Sequence, residues 1–157
     1  MPIQPTAVPQ QLVAVCAMLL VGLVPQGARA GLGGAETTVA EDAQQLNGTV
    51  KSTQRTQYRV HEIQLASGTV LREFANAGGT VFAVAWNGPR IPDLRAALGR
   101  YFDAYVSAAQ GRHLGRTHME IRQNDWVMQA TGHMRAFQGR AYLPQSVPSG
   151  TSLDEIR

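Results

Sequence analysis

A single cysteine, Cys16, is all the thiol chemistry that the 157-residue chain holds. One cysteine makes no intramolecular disulfide and no multi-thiolate metal site, so a stapled scaffold and a zinc-ribbon type of fold are both excluded. Lysine is as scarce: Lys51 is the only one among 14 basic residues, set against 11 acidic ones for a net charge of +3. The basic residues are dispersed rather than gathered into a stripe, which argues against a nucleic-acid partner. Long hydrophobic runs are also missing. The longest, residues 12–24, has 13 residues, whereas a membrane-crossing helix needs about 20.

That short run has the length of the apolar part of an export signal. It is followed by Pro25-Gln26-Gly27 and by the small-x-small triplet Ala28-Arg29-Ala30, which places the expected cleavage after Ala30. No Lys or Arg occurs in residues 1–11, so the free amino terminus alone supplies the positive end of the signal. Cys16 follows Val15 within the apolar run, not a small residue at its end, and so does not make a lipoprotein signal. Removal of residues 1–30 leaves 127 residues, without cysteine and with a charge of +2. A chain of that length builds one ordinary core without metal or disulfide support.

Residues 31–55 open on Gly31-Leu32-Gly33-Gly34 and carry no sustained apolar periodicity, which predicts a flexible amino-terminal arm. The glycine run follows no predicted strand, so it lacks the context of a phosphate-cradling loop. Regular patterning begins at Tyr58. Residues 58–65 and 70–74 read as two strands joined by Ala66-Ser67-Gly68-Thr69, and a tight turn at Ser67-Gly68 pairs Glu62 with Glu73. In that register Ile63, Leu65, Val70 and Phe74 share a face with His61 and Arg72. Residues 80–86 are almost wholly apolar, the mark of a central strand buried on both sides.

A helix is expected next. Pro92 and Asp93 suit its start, Gly111 with Arg112 and His113 its exit, and Leu94, Ala97, Leu98, Tyr101, Phe102 and Tyr105 form one apolar stripe. Residues 117–122 and 126–130 then form a second hairpin. Closing it with Arg122 and Asp125 around Gln123-Asn124 gathers Met119, Ile121, Trp126, Met128 and Ala130 on one face, leaving His118, Glu120 and Arg122 on the other. A last strand runs over 134–143, and residues 145–157 form an irregular tail draped by Val147, Leu153 and Ile156. The expected fold is α+β: an antiparallel sheet of about six strands, in the order three strands, helix, three strands, with one long amphipathic helix on one face and the domain proper spanning 56–144.

Three groups of side chains carry candidate chemistry. Glu62 and Glu73, if opposed, would split their pKa values and supply an acid and a base; the plainer reading is a solvated pair relieved by an arginine. His118 and Glu120, joined by His61 or His133, offer metal-ligand types, but the His-Glu-x-x-His spacing is absent. No Gly-x-Ser-x-Gly elbow supports a nucleophilic serine. The sequence therefore assigns no catalytic, cofactor-binding or metal-binding residue, and favours a non-catalytic binding module with an envelope or secreted protein partner over a small hydrolase working through Glu62, Glu73, His61 or His133.

Several segments together resemble a known family. They are Tyr58-Arg59-Val60-His61-Glu62, Gly68-Thr69-Val70-Leu71-Arg72-Glu73-Phe74, Val81-Phe82-Ala83-Val84-Ala85-Trp86-Asn87-Gly88-Pro89, Pro92-Asp93-Leu94, Gly132-His133-Met134-Arg135-Ala136-Phe137 and Gly139-Arg140-Ala141-Tyr142-Leu143-Pro144. In this order they are similar to an uncharacterised exported family of proteobacteria, domain of unknown function 2844. The resemblance implies a Gram-negative envelope setting, periplasmic or secreted, and implies no activity, cofactor or site residue.

Overall fold

The computed structural model describes residues 31–110 and 118–157; the expected export signal, Cys16 and the expected helix exit at Gly111, Arg112 and His113 lie outside them. The amino-terminal segment is folded. A turn at 31–34 leads through a 3-10 turn, Glu36–Thr38, into α1, Val39–Gln45, and then β1, Gly48–Gln54. Leu32, Val39 and Ala43 are buried in the main core, so the expected flexible arm is corrected to an integral part of the domain. Few apolar side chains are involved, and six of the seven β1 residues are exposed, which is why no periodicity announced either element.

Strands β2, Tyr58–Leu65, β3, Val70–Asn76, and β4, Val81–Gly88, continue the meander. Helices α2, Leu94–Leu98, and α3, Phe102–Gln110, precede β5, His118–Arg122, β6, Val127–His133, and β7, Ala136–Tyr142. All seven strands form one antiparallel sheet in the order β1-β2-β3-β4-β7-β6-β5. The α+β class holds, with seven strands in place of six because β1 adds to the meander. The expected long helix is two helices, since Gly99 between them takes φ 51, a left-handed conformation that favours glycine. The apolar stripe nevertheless runs through the break, from Leu94 and Leu98 to Tyr101, Phe102 and Tyr105.

Burial explains the order of the strands. Residues 81–86 of β4 are buried throughout, so this strand takes the centre, flanked by β3 and β7. A bulge between Phe74 and Ala75 pairs Phe74 with Ala83 and Ala75 with Val81. The extra residue, Phe82, joins Tyr58 and Phe74 in an aromatic cluster with centroids 5.9 to 6.3 Å apart. One sheet face packs Ile63, Leu71, Val84, Trp86, Met128 and Ile121 beneath the helices. The opposite face carries a smaller cluster of Tyr58, Phe74, Ala83, Ala85, Val127 and Tyr142, closed by Ile156 of the carboxy-terminal tail. Of the three residues expected to drape that tail, Ile156 is fully buried, Val147 is partly buried and Leu153 is exposed.

Gly139 makes room for the Trp86 indole on the covered face. It lies between Trp86 and Ala130 in the sheet, and a Cβ there would come within 2.2 Å of Trp86 Cζ2. Gly139→Ala must displace the indole, and the expected cost is about 1–3 kcal/mol. Urea denaturation followed by tryptophan fluorescence checks this, and an unchanged midpoint would refute it.

Candidate functional site

The β2–β3 hairpin decides where the candidate acids go. Its loop has three residues, Ala66-Ser67-Gly68, closed by Leu65 N–H donating to Thr69 O at 2.9 Å, with Gly68 at φ 85. Such a loop with a terminal left-handed glycine is a standard hairpin alternative to the two-residue turn. It shifts the register by one, pairing Glu62 with Arg72 and His61 with Glu73. The expected Glu62–Glu73 pair is therefore overturned: a one-residue slip places the two carboxylates on opposite faces of the sheet. In the β5–β6 hairpin the turn lies one residue later than expected, around Asn124-Asp125 and closed by Gln123 N–H donating to Trp126 O at 2.9 Å, so that Met119 pairs with Ala130 and Ile121 with Met128. There the slip is two residues, so the side chains keep the expected faces and Trp126 stays in the core.

On the covered face a polar cluster lies between the sheet and the amino-terminal segment. Glu36 Oε1 accepts from Arg59 Nη1 at 2.5 Å and lies 2.9 Å from His61 Nε2. His61 Nδ1 is 2.8 Å from Ser52 Oγ. With the ring proton on Nε2, His61 donates to Glu36 and accepts from the serine hydroxyl. Beside it in the sheet, Glu73 is 1 % exposed, and its Oε2 has no hydrogen-bond partner among the described residues. Burial, and after it the charge of Asp42 on α1, push the Glu73 carboxyl up to about 8. Asp42 is buried too and accepts from the Gly31 N–H at 3.3 Å.

The open face carries two polar rows that cross every strand. One runs Lys51, Glu62, Arg72, Ala85, Arg140, Gln129, Glu120; the other runs Thr49, Gln64, Val70, Asn87, Gln138, Thr131, His118. In the first, Arg72 Nε donates to Glu62 at 2.9 Å, Arg140 Nε to Gln129 at 2.9 Å, and Gln129 and Arg122 to Glu120 at 3.3 and 2.6 Å. Hydrogen bonds from Gln129 and then Arg122 hold the Glu120 carboxyl below its ordinary range. The central gap at Ala85 receives the tail. Arg140 Nη1 donates to Leu153 O at 2.5 Å and Arg72 Nη1 to Arg157 O at 3.2 Å, while Tyr58 Oη donates to Glu155 at 2.5 Å. Burial and that carboxylate push the Tyr58 phenol up to about 12. Beside the tail runs a groove of about 840 Å³ whose lining includes Lys51, Arg55, Glu62, Arg72, Gln138 and Arg157.

The candidate metal ligands are not assembled. His118 and Glu120 stand on edge strand β5, His61 faces the covered side of β2, and His133 ends β6 at the exposed hairpin tip. Among the described residues no group of three His, Cys, Asp or Glu side chains is placed to hold a metal ion, and no helix is long and apolar enough to cross a membrane. Sequence reasoning passed over Glu36, Asp42 and Ser52, which complete the covered cluster. The one signal available was Asp42 itself, three residues after Val39 and next to Ala43, an acid on the apolar side of a short helix.

These features define an α+β domain with one sheet face sealed by helices and the other left to a strapped polar array. The chain belongs to the family described as Protein of unknown function (DUF2844), whose match spans residues 28–156. No curated protein and no solved structure matches it. This is the family that the sequence segments resemble.

Proposed function

We propose that the chain is an exported, non-catalytic binding module of the bacterial envelope, and that the open sheet face docks a protein partner there. The observation that carries this reading is the asymmetry of the two faces. Rows crossing seven strands at about 4.8 Å spacing present a flat array about 29 Å wide, with exposed Gln64, Asn87 and Gln138 offering donors and acceptors. Charges of both signs alternate across Lys51, Glu62 and Arg72, which suits a mixed protein surface better than a polyanion. The export segment supports the setting. The catalytic alternative has weaker support, because Glu62 lies on the open face, Glu73 and His61 lie buried on the other, and His133 is at a hairpin tip.

The test is photo-crosslinking in intact cells from single probe residues at positions 64, 87 and 138, with exposed Asp103 on α3 as control. A discrete adduct of the same protein from all three row positions and none from position 103 is expected. Adducts from position 103 alone, or turnover in an unbiased substrate screen without any adduct, would overturn the reading.

A further inference from the structure

The residues that follow the small-x-small triplet are deeply set. Gly31, Leu32 and Gly33 are all buried. Leu32 N–H donates to Ala97 O at 2.9 Å, Gly33 N–H to Val81 O at 2.8 Å and Gly34 N–H to Gly31 O at 2.8 Å. Arg100 donates to Gly33 O. A Cβ at Gly31 would lie 2.2 Å from Ala96 O and 2.8 Å from Gly99 N, so this position admits no side chain. Its nitrogen is directed at a buried carboxylate, Asp42 Oδ2, 3.3 Å away. A processing motif, a glycine required by close packing and a buried acid thus converge on one atom, Gly31 N.

We infer that hydrolysis of the Ala30–Gly31 bond is a maturation step that completes this core, the new Gly31 α-ammonium forming a buried ion pair with Asp42 beside Glu73. The step consumes one water. The amide C–N bond breaks, the water oxygen stays on the Ala30 carbonyl carbon as a carboxylate, and the two water protons leave Gly31 with an –NH3+ group. It rests on the export reading, since the peptidase class that cuts after such triplets acts on exported chains. An amide N–H is a neutral donor, whereas an ammonium makes the stronger charge-assisted bond to a carboxylate. Glu73, whose Oε2 has no hydrogen-bond partner among the described residues, is close enough to feel the charge of Asp42. Among the described residues, Glu36, Arg59 and His61 lie on one side of the segment and Arg100 on the other. A free α-amine has a pKa of about 7.7–8.0, and an adjacent carboxylate raises it.

The chain itself supplies a clean assay. A protein beginning at Gly31 has two amines, the Gly31 nitrogen and the ε-amine of Lys51, which is exposed on β1. The full chain is produced with its own leader in a Gram-negative host, and the exported form is sequenced from its amino terminus. Trace acetylation near neutral pH then compares folded with urea-unfolded protein by peptide mapping. Gly31 is expected to react at least about tenfold more slowly when folded, the factor for one unit of raised pKa, while Lys51 reacts alike in both. Asp42→Asn is expected to restore most of the Gly31 rate. If that variant does not fold, the wild-type comparison decides alone. A retained leader or another first residue would overturn the export reading and this inference together. A chain that begins at Gly31 but acetylates there as fast as unfolded protein would overturn the ion pair and leave export standing.

Discussion

Raising the pH from about 5 to about 9 is expected to cost the folded chain several kcal/mol through Glu73 alone, and Glu73→Gln is expected to abolish that loss. The carboxyl stands at about 8 in the fold against 4.5 for an ordinary glutamate. Below the lower value both folded and unfolded chains hold the proton, and the full stability is present. Between the two values the folded chain keeps a proton that the unfolded chain has released, so each pH unit costs about 1.4 kcal/mol. Above the upper value both are ionised and the loss is complete. The sign is opposite to that of a salt-bridged surface acid, whose contribution disappears as pH falls. Burial is the larger cause and Asp42 the smaller. A Gly31 ammonium offsets the second and leaves the first, so the direction is the same in the processed chain. Urea denaturation of both proteins across this range is the check. Because Glu36, Asp42 and His61 are common to both, the difference in stability isolates position 73. It should be near zero at the acid end, grow in favour of glutamine and level off above about pH 8. A difference that is flat across the range would mean that Glu73 titrates as an exposed acid.

Hydrophobic pattern was a good guide wherever strands were half or fully buried. The run Val81-Phe82-Ala83-Val84-Ala85-Trp86 identified the central strand because both of its faces are covered. The alternation Met119, Ile121 and Met128, Ala130 fixed the faces of the second hairpin even though its turn lies one residue later than expected, since a slip by an even number leaves every side chain on its own side. The same rule explains the failure at the first hairpin. Ala66-Ser67-Gly68-Thr69 fits a two-residue turn and a three-residue loop equally well on paper, and only the left-handed Gly68 with its closing bond at Thr69 distinguishes them. One residue of slip separated Glu62 from Glu73, which removed the candidate dyad and set Glu73 against His61 in the interior.

The covered polar cluster was harder to read, because its parts come from elements with little pattern of their own. Strand β1 is an exposed edge, so nothing in Gly48-Thr49-Val50-Lys51-Ser52-Thr53-Gln54 alternates by burial. Ser52 meets His61 only through the sheet, and Glu36 reaches it only because the 3-10 turn is fixed by Glu36 N–H donating to Gly79 O at 2.8 Å. The broken helix has the same origin. Gly99 lies inside an uninterrupted apolar stripe, and the reason for its left-handed backbone is tertiary: Gly31 and Leu32 pack against it, with Leu32 O 3.3 Å from where a Cβ would stand.

Leu32→Ala is expected to destabilise the domain by about 2–5 kcal/mol, the range for truncating a buried leucine. Leu32 is 1 % exposed and belongs to the same core as Val39, Ala43, Ile63, Leu71 and Leu98. Its backbone N–H is bonded to Ala97 O, so the side chain is held at a fixed depth between α2 and the sheet, and the cavity left by truncation has limited means of collapsing. The midpoint of urea denaturation should fall while its slope stays unchanged, because the same surface is exposed on unfolding. Val50→Ala on the exposed edge strand, where Val50 is 41 % exposed, is the control and should shift stability by no more than about 0.5 kcal/mol. The comparison separates the flexible arm that the sequence predicts for residues 31–55 from the core-closing segment seen in the fold. If the segment were a loosely held arm, both variants would behave as surface substitutions and the buried Glu73 would be open to water. If it closes the core, Leu32→Ala is costly, and the water it admits should also flatten the pH dependence that Glu73 imposes on the wild-type chain.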